Sequence, residues 1–292
     1  MNKKSQLTGL LLMLPAFLWV FLTIIYPFLW TIWLSFHDAM MTGETISGSF
    51  IGIENYINLI FNDSVFGQAI INTILWTMGN FALSGILGLS FALVLNEKFK
   101  GNTLVRIIAI LPWIVPSVAT AIVWRWLLHS QIGVIQGVLL SLNIIKEPIA
   151  FFSYNYALPS LILVNAWRFT PFVVIFYLAG LESVPIELYE AAKIDGASAF
   201  QRFRYITMPS LKRILAVLGI IGVLWTFCYF DIIYLITKGG PSNATMTLPV
   251  LIWMRSFYMF RIGEGATISV FMILILLTFS IIYFKYIIKE GL

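Results

Sequence analysis

The stretch EAAKIDGASAFQRFRYITMP, Glu190 to Pro209, is charged and helix-forming, yet it lies between two long apolar runs. Pro185 is suited to the start of a helix, and Gly196 can adopt the left-handed conformation that ends one. Ser198 can cap a second helix, and Pro209 is expected to mark the end of that helix. The sequence therefore predicts two short helices joined by a glycine turn within residues 183–209, a segment too polar to cross a membrane.

The remainder of the chain has the composition of a membrane protein. Of its 292 residues 60% are hydrophobic and 11% are charged, whereas soluble domains usually contain about 25% charged residues. A spanning helix needs about 20 predominantly apolar residues. Six runs of this kind are found, at residues 10–36, 66–95, 104–128, 156–180, 211–236 and 266–286. The connections are too short for a soluble domain, so the sequence predicts an all-α polytopic membrane protein with a single domain over residues 1–292.

The distribution of Lys and Arg predicts the orientation, because cytoplasmic loops collect basic residues. With the N-terminus inside, twelve basic residues lie on the cytoplasmic side and five on the outer side. The cytoplasmic set is Lys3, Lys4, Lys98, Lys100, Arg106, Lys193, Arg202, Arg204, Lys212, Arg213, Lys285 and Lys289, and the outer set is Arg125, Lys146, Lys238, Arg255 and Arg261. Both termini and segment 183–209 are therefore predicted to be cytoplasmic. The net charge of +5 reports this topology and does not indicate nucleic-acid binding.

Two interpretations of segment 183–209 remain open on composition. Its amphipathic helices could lie on anionic lipid headgroups, or they could dock on a protein. The pattern of residues also resembles the cytoplasmic EAA loop of type I ATP-binding-cassette importer permeases. The matching residues are Glu190, Ala191, Ala192, Asp195, Gly196, Ala197, Phe203, Ile206 and Pro209. The resemblance implies that Glu190, Ala191, Ala192, Asp195, Gly196, Phe203 and Pro209 contact an ATPase subunit.

Three further stretches are similar to the carbohydrate-type members of that family. They are FDIIYLITKGGPSNATMT at Phe230–Thr247, ILPWIVPSVATAIVWRWL at Ile110–Leu127 and GIENYINLIF at Gly52–Phe61. Pro112 and Pro116 fall inside the third span, where they are expected to kink the helix. Apolar residues at near-helical spacing within residues 130–155 also predict a helix at the outer interface.

Polar and aromatic side chains within spans are candidates for substrate contact, because sugars bind aromatic faces and hydrogen-bonding groups together. The resemblance points to the fourth and fifth spans, with the candidates Asn165, Arg168, Phe169, Phe172, Trp225, Thr226, Tyr229 and Asp231. Asn165, Trp225 and Tyr229 are predicted to line a cavity. The alternatives are packing for the aromatic residues, an ion pair between Arg168 and Asp231, and hydrogen bonds from Asn72 and Asn80 to neighbouring helices.

The resemblance implies the permease subunit of an ATP-driven importer for a sugar or oligosaccharide, with a glycerol-phosphate or polyol substrate as the alternative. The implied partners are a second similar permease, two ATPase subunits that hold ATP and magnesium, an extracytoplasmic binding protein or lipoprotein, and lipid of a bacterial or archaeal plasma membrane. No phosphate-binding loop or metal-spaced His/Cys cluster occurs in the sequence, so no cofactor is expected in this chain. An ion-coupled carrier using Arg168 and Asp231 is a rival prediction, and a lipid-modifying enzyme is a third.

Overall fold

The computed structural model describes residues 3–43, 45–97 and 99–285, and residues 3–11 by their backbone alone. Lys98, Tyr286 and Lys289, which entered the predicted topology and sixth span, lie outside the described residues. The helices are α1 Lys3–Val20, α2 Tyr26–Leu34, α3 Glu54–Phe61, α4 Ser64–Asn96, α5 Asn102–Ile114, α6 Ser117–Leu127, α7 Val134–Ser141, α8 Ala157–Glu182, α9 Ile186–Ile194, α10 Ala199–Arg202, α11 Met208–Ser210, α12 Lys212–Phe227, α13 Asp231–Thr237, α14 Leu248–Trp253 and α15 Ile262–Tyr283. Wider π-helical turns follow α1, α10 and α14, at Phe21–Ile25, Phe203–Thr207 and Met254–Tyr258.

Within the described residues, five helical stretches are long and apolar enough to cross a membrane. They are Leu12–Leu34, Ser64–Asn96, Ala157–Glu182, Lys212–Thr237 and Ile262–Tyr283. A sixth span is counted only if the bent pair α5 and α6 crosses as one unit. The helical fold class and the predicted set of about six spans are therefore confirmed at this level.

The third predicted span, residues 104–128, is not one continuous helix. Its two halves, α5 and α6, meet at an angle of 96°. Val115 is extended, with ψ of 127°, because a residue before proline is driven out of the helical region. Pro116 then caps α6, whereas Pro112 is accommodated inside α5. The expected proline kink is therefore a break at the second proline.

Contacts between Cα atoms group the chain into two units, Met1–Phe66 with Leu251–Ile275, and Gly67–Val250 with Leu276–Leu292. The first unit contains a small antiparallel hairpin of Met40–Thr42 and Thr45–Ser47, which the all-α prediction did not include. Elsewhere in the first unit, the side chain of Asn55 donates hydrogen bonds to the carbonyl oxygens of Ser35 and His37, both at 3.0 Å. The prediction of one domain over residues 1–292 stays a prediction.

The second unit is organised around α8. This helix contacts α5, α12 and α13 and buries most of one side in an apolar core. The buried members of that core are Ala92, Leu95, Phe172, Val173, Val174, Tyr177, Leu178, Leu181, Leu211 and Leu218. Gly180 allows close packing here, because a Cβ at this position would lie 2.7 Å from Leu211 Cδ2. The helix predicted within residues 130–155 is present as α7, and its place at the outer interface stays a prediction.

Candidate functional site

Three of the predicted substrate residues form one aromatic cluster between α8 and α12. The ring centroids of Phe172 and Trp225 are 5.2 Å apart, and those of Phe169 and Phe172 are 5.1 Å apart. Trp225 remains 53% exposed, whereas Phe172 is buried at 8%. Trp113 on α5 extends the cluster, with its ring centroid 5.7 Å from that of Phe172. The indole of Trp225 therefore packs against the buried ring of Phe172 and is itself half exposed.

Arg168 and Tyr229 lie together beside the break between α5 and α6. Arg168 donates from Nη1 to Tyr229 Oη at 3.1 Å and from Nε to the carbonyl oxygen of Val115 at 3.4 Å. The hydroxyl of Ser117, the first residue of α6, is 3.4 Å from the same Tyr229 oxygen. Loss of regular helix at Val115 leaves its carbonyl available, so the guanidinium satisfies a backbone group that the break exposes.

The ion pair between Arg168 and Asp231 is not formed. No carboxylate of the described chain lies within 4.0 Å of Arg168. Asp231 is exposed at the first turn of α13. An arginine has five N–H donors, and the described residues accept from two of those on Arg168. Its remaining donors are available to a ligand or to water.

Asn165 and Thr226 occupy packed positions and do not face open space. Asn165 is 4% exposed and donates to Asn80 Oδ1 at 2.7 Å. Thr226 is 5% exposed, and its carbonyl oxygen accepts from Trp76 Nε1 at 2.9 Å. The interpretation that Asn80 bonds a neighbouring helix is confirmed. Asn72 bonds the loop before α14 instead, through the carbonyl oxygens of Asn243 and Met246.

Trp76 was not selected from the sequence, although it joins this site. Its indole is fully buried, and its ring centroid is 6.1 Å from that of Tyr229. It lies four residues from both Asn72 and Asn80, so all three share one face of α4. That helical spacing is the signal that could have identified it.

Segment 183–209 has the predicted order of helix, glycine turn and helix. The turn follows α9, with Gly196 at φ +79°. Ser198 begins α10 with a reciprocal cap, because its backbone N–H donates to Gln201 Oε1 at 2.7 Å and its hydroxyl accepts from Gln201 N at 3.3 Å. The hydroxyls of Tyr189 and Thr207, 3.0 Å apart, tie the two arms together.

The surface of this segment combines apolar and charged groups. Ile194, Phe200 and Tyr205 are 87%, 73% and 75% exposed. Glu190, Ala191 and Asp195 are also exposed, and Ala192 and Phe203 are half-buried. Large exposed apolar side chains on a polar segment are typical of a docking surface or of contact with lipid headgroups.

The second helix ends beside Pro209, as predicted. Its helical backbone runs from α10 through the wider π turn at Phe203–Thr207 into α11, which ends at Ser210, one residue after Pro209. The next helix, α12, begins after Leu211. Proline has no N–H to continue the helical hydrogen bonds, which suits its position in the last turn.

The comparisons with known proteins agree with this architecture. The chain is 36% identical to the trehalose/maltose transport system permease protein MalF of Thermococcus litoralis, over 95% of this chain and 92% of that one. It is 32% identical to the sulfoquinovosyl glycerol transport system permease protein SmoG of Agrobacterium fabrum, over 96% and 90% of the two chains.

A chain in the crystal structure of a bacterial alginate ABC transporter has the same fold, with a TM-score of 0.84, 21% identity and coverage of 99% and 98%. The family model described as binding-protein-dependent transport system inner membrane component matches residues 84–290. The chain therefore belongs to the family of binding-protein-dependent transport system inner membrane components.

Proposed function

We propose that this chain is the membrane-spanning subunit of an ATP-driven importer for a sugar or oligosaccharide, and that the cluster beside the α5–α6 break contacts the substrate. The names of the two relatives, which transport trehalose or maltose and sulfoquinovosyl glycerol, support a carbohydrate. The observation that carries the assignment of the site is the juxtaposition of the Phe172–Trp225 aromatic surface on α8 and α12 with the Arg168–Tyr229 pair on the same two spans.

The chemistry of this cluster suits a sugar. The half-exposed Trp225 offers a flat apolar face to ring C–H groups. Arg168 and Tyr229 offer a cation and a hydroxyl to sugar oxygens. Asn165 and Thr226 would support the site without contacting substrate, since Asn165 already donates to Asn80 on α4 and the Thr226 hydroxyl donates to the carbonyl oxygen of Gly222. Asp231, exposed at the start of α13, is a further contact.

One observation favours a second candidate substrate. The unused donors of Arg168 have no carboxylate partner in the described chain, and a guanidinium binds phosphate well. A glycerol-phosphate diester is therefore the alternative ligand, recognised through Arg168 more than through Trp225.

Segment 183–209 is proposed to dock on an ATPase subunit on the cytoplasmic side. Its exposed Ile194 and Phe200 would fill a cleft, Glu190 and Asp195 would accept hydrogen bonds, and Gly196 would hold the angle between the arms. Closure of two ATPase subunits would then move α8 and α12, to which the segment is joined at both ends. The proposed complex also contains a second permease and an extracytoplasmic binding protein that delivers the substrate.

The substrate can be identified through that binding protein. Its melting temperature would be measured across a panel of mono- and oligosaccharides, polyols, glycerol-phosphate diesters and amino acids, because a ligand of the native state stabilises it. A carbohydrate that raises the melting temperature, and whose uptake is lost in cells without this chain, is the expected result. Stabilisation by phosphate diesters alone would replace the sugar assignment with the alternative, and stabilisation by amino acids alone would refute both.

A further inference from the structure

A groove on the surface of the second unit runs between α5 and α8 and ends at a charged mouth. The groove has a volume of about 280 Å³, and six of its lining residues are Leu95, Ala109, Ile110, Pro171, Val174 and Ala179. Arg106 and Glu182 close it at the end of α8 that leads into segment 183–209. The small side chains of Ala109 and Ala179 create the space, because larger residues on these helices would fill it.

The length of the groove corresponds to one leaflet of a bilayer. Pro171 and Glu182 are eleven residues apart on the continuous helix α8, which corresponds to about 16 Å at 1.5 Å per residue. Half of a hydrocarbon core about 30 Å thick is about 15 Å. An acyl chain that enters from the charged mouth would therefore reach the bilayer midplane at Pro171.

The mouth carries charges of both signs in a second, adjoining cavity of about 590 Å³. Arg106 and Glu182 belong to both cavities and form an ion pair of 2.9 Å. Lys100 and Glu97 line the second cavity, and neither makes an ion pair within 4.0 Å in the described part of the chain. The described lining of the mouth therefore contains one basic and one acidic side chain, Lys100 and Glu97, outside the Arg106–Glu182 pair.

From this arrangement we propose that the groove binds a zwitterionic aminophospholipid such as phosphatidylethanolamine. The acyl chain would occupy the apolar groove, the phosphate would contact Lys100 and Arg106, and the primary ammonium would donate to Glu97 and Glu182. The two carboxylates among the described lining residues favour a lipid whose headgroup also carries a cation. Lipid binding in this groove requires no transport activity, and the proposal does not depend on the substrate being a sugar.

The test uses the full-length chain purified with its partner subunits and stripped of lipid in detergent. The complex is exposed to equal amounts of phosphatidylethanolamine, phosphatidylcholine and phosphatidylglycerol, and bound lipid is counted by native mass spectrometry. Phosphatidylethanolamine should be retained about tenfold over phosphatidylcholine, whose quaternary ammonium cannot donate a hydrogen bond to a carboxylate. Equal retention of the three lipids would overturn the proposal.

A matched pair of variants locates the site. Ala179→Phe fills the groove from an exposed position on α8, and Ala82→Phe makes the same change at an exposed position of α4 outside the groove. Ala179→Phe should remove the preference for phosphatidylethanolamine, and Ala82→Phe should leave it unchanged. Unchanged retention in Ala179→Phe, or loss of subunit assembly in that variant alone, would assign the groove to general surface lipid or to a subunit contact and refute the site.

Discussion

Gly196 offers a direct test of the role of segment 183–209, because its substitution changes the backbone without changing the packing. Its φ of +79° lies in the left-handed region. A Cβ at this position would meet no atom within 4 Å, so the cost of a side chain is conformational. That cost is about 1–2 kcal/mol for an ordinary residue and smaller for asparagine, which visits this region more readily. Valine, being β-branched, should be the most strained.

The conformational cost of a side chain at position 196 sets the expected loss of coupling between ATP hydrolysis and import. A cost of about 1–2 kcal/mol reduces the population of the required turn about 5- to 30-fold relative to alternatives. Because the turn is exposed and joins no core, the melting temperature of the purified complex should change little. The ratio of substrate imported to ATP hydrolysed should therefore fall at least about fivefold in Gly196→Val.

The assay measures both quantities in proteoliposomes containing the whole transporter. Gly196→Asn is the matched control, and it should keep a near-normal ratio because the left-handed turn is retained. Full coupling in Gly196→Val with normal assembly would refute the docking role. It would return the segment to the interpretation that it lies on lipid headgroups.

Three further predictions concern named contacts. Asn165→Ala should destabilise the protein by at least about 0.6 kcal/mol, because the hydrogen bond to Asn80 is lost, and the melting temperature should fall accordingly. The KM for uptake should stay unchanged. A raised KM with an unchanged melting temperature would show that Asn165 contacts substrate. Trp225→Ala should raise the KM about tenfold with little loss of stability, because the indole is half exposed, and an unchanged KM would remove Trp225 from the site. Arg255→Gln should destabilise by about 3 kcal/mol, because it leaves the largely buried Asp63 without its cation and removes one of the two cations of Glu264. Arg261→Gln, at a half-exposed pair, should cost about 0.5 kcal/mol. Equal melting temperatures of these two variants would contradict that ranking.

Local sequence signals were sufficient to predict the helix–turn–helix structure of segment 183–209. The left-handed preference of Gly196 and the capping pair of Ser198 and Gln201 act over a few residues, so the turn and the second helix start are readable from the sequence. Pro209 was also a local signal, because the second helix ends at Ser210, one residue after it. The two-stranded hairpin at Met40–Ser47 was also missed, although β-branched residues around Gly43 were a weak signal for it.

The contacts between side chains on different helices could not be predicted from the sequence. Helical spacing placed Asn165, Phe169 and Phe172 on one face of α8. It could not show that Asn80 would meet Asn165 while Trp225 would meet Phe172. The two prolines of the third span predicted a distortion, but they gave neither its angle of 96° nor the hydrogen bond that Arg168 donates to the carbonyl oxygen of Val115 at the break.

We propose that this chain moves a carbohydrate only as part of an ATP-driven complex. The most direct measurement is uptake of the labelled sugar by proteoliposomes that contain either this chain alone or the complete set of two permeases, two ATPase subunits and the binding protein. We expect uptake by the complete set that stops when ATP is withheld, and no uptake by this chain alone under an ion gradient. Gradient-driven uptake by the chain alone would contradict it.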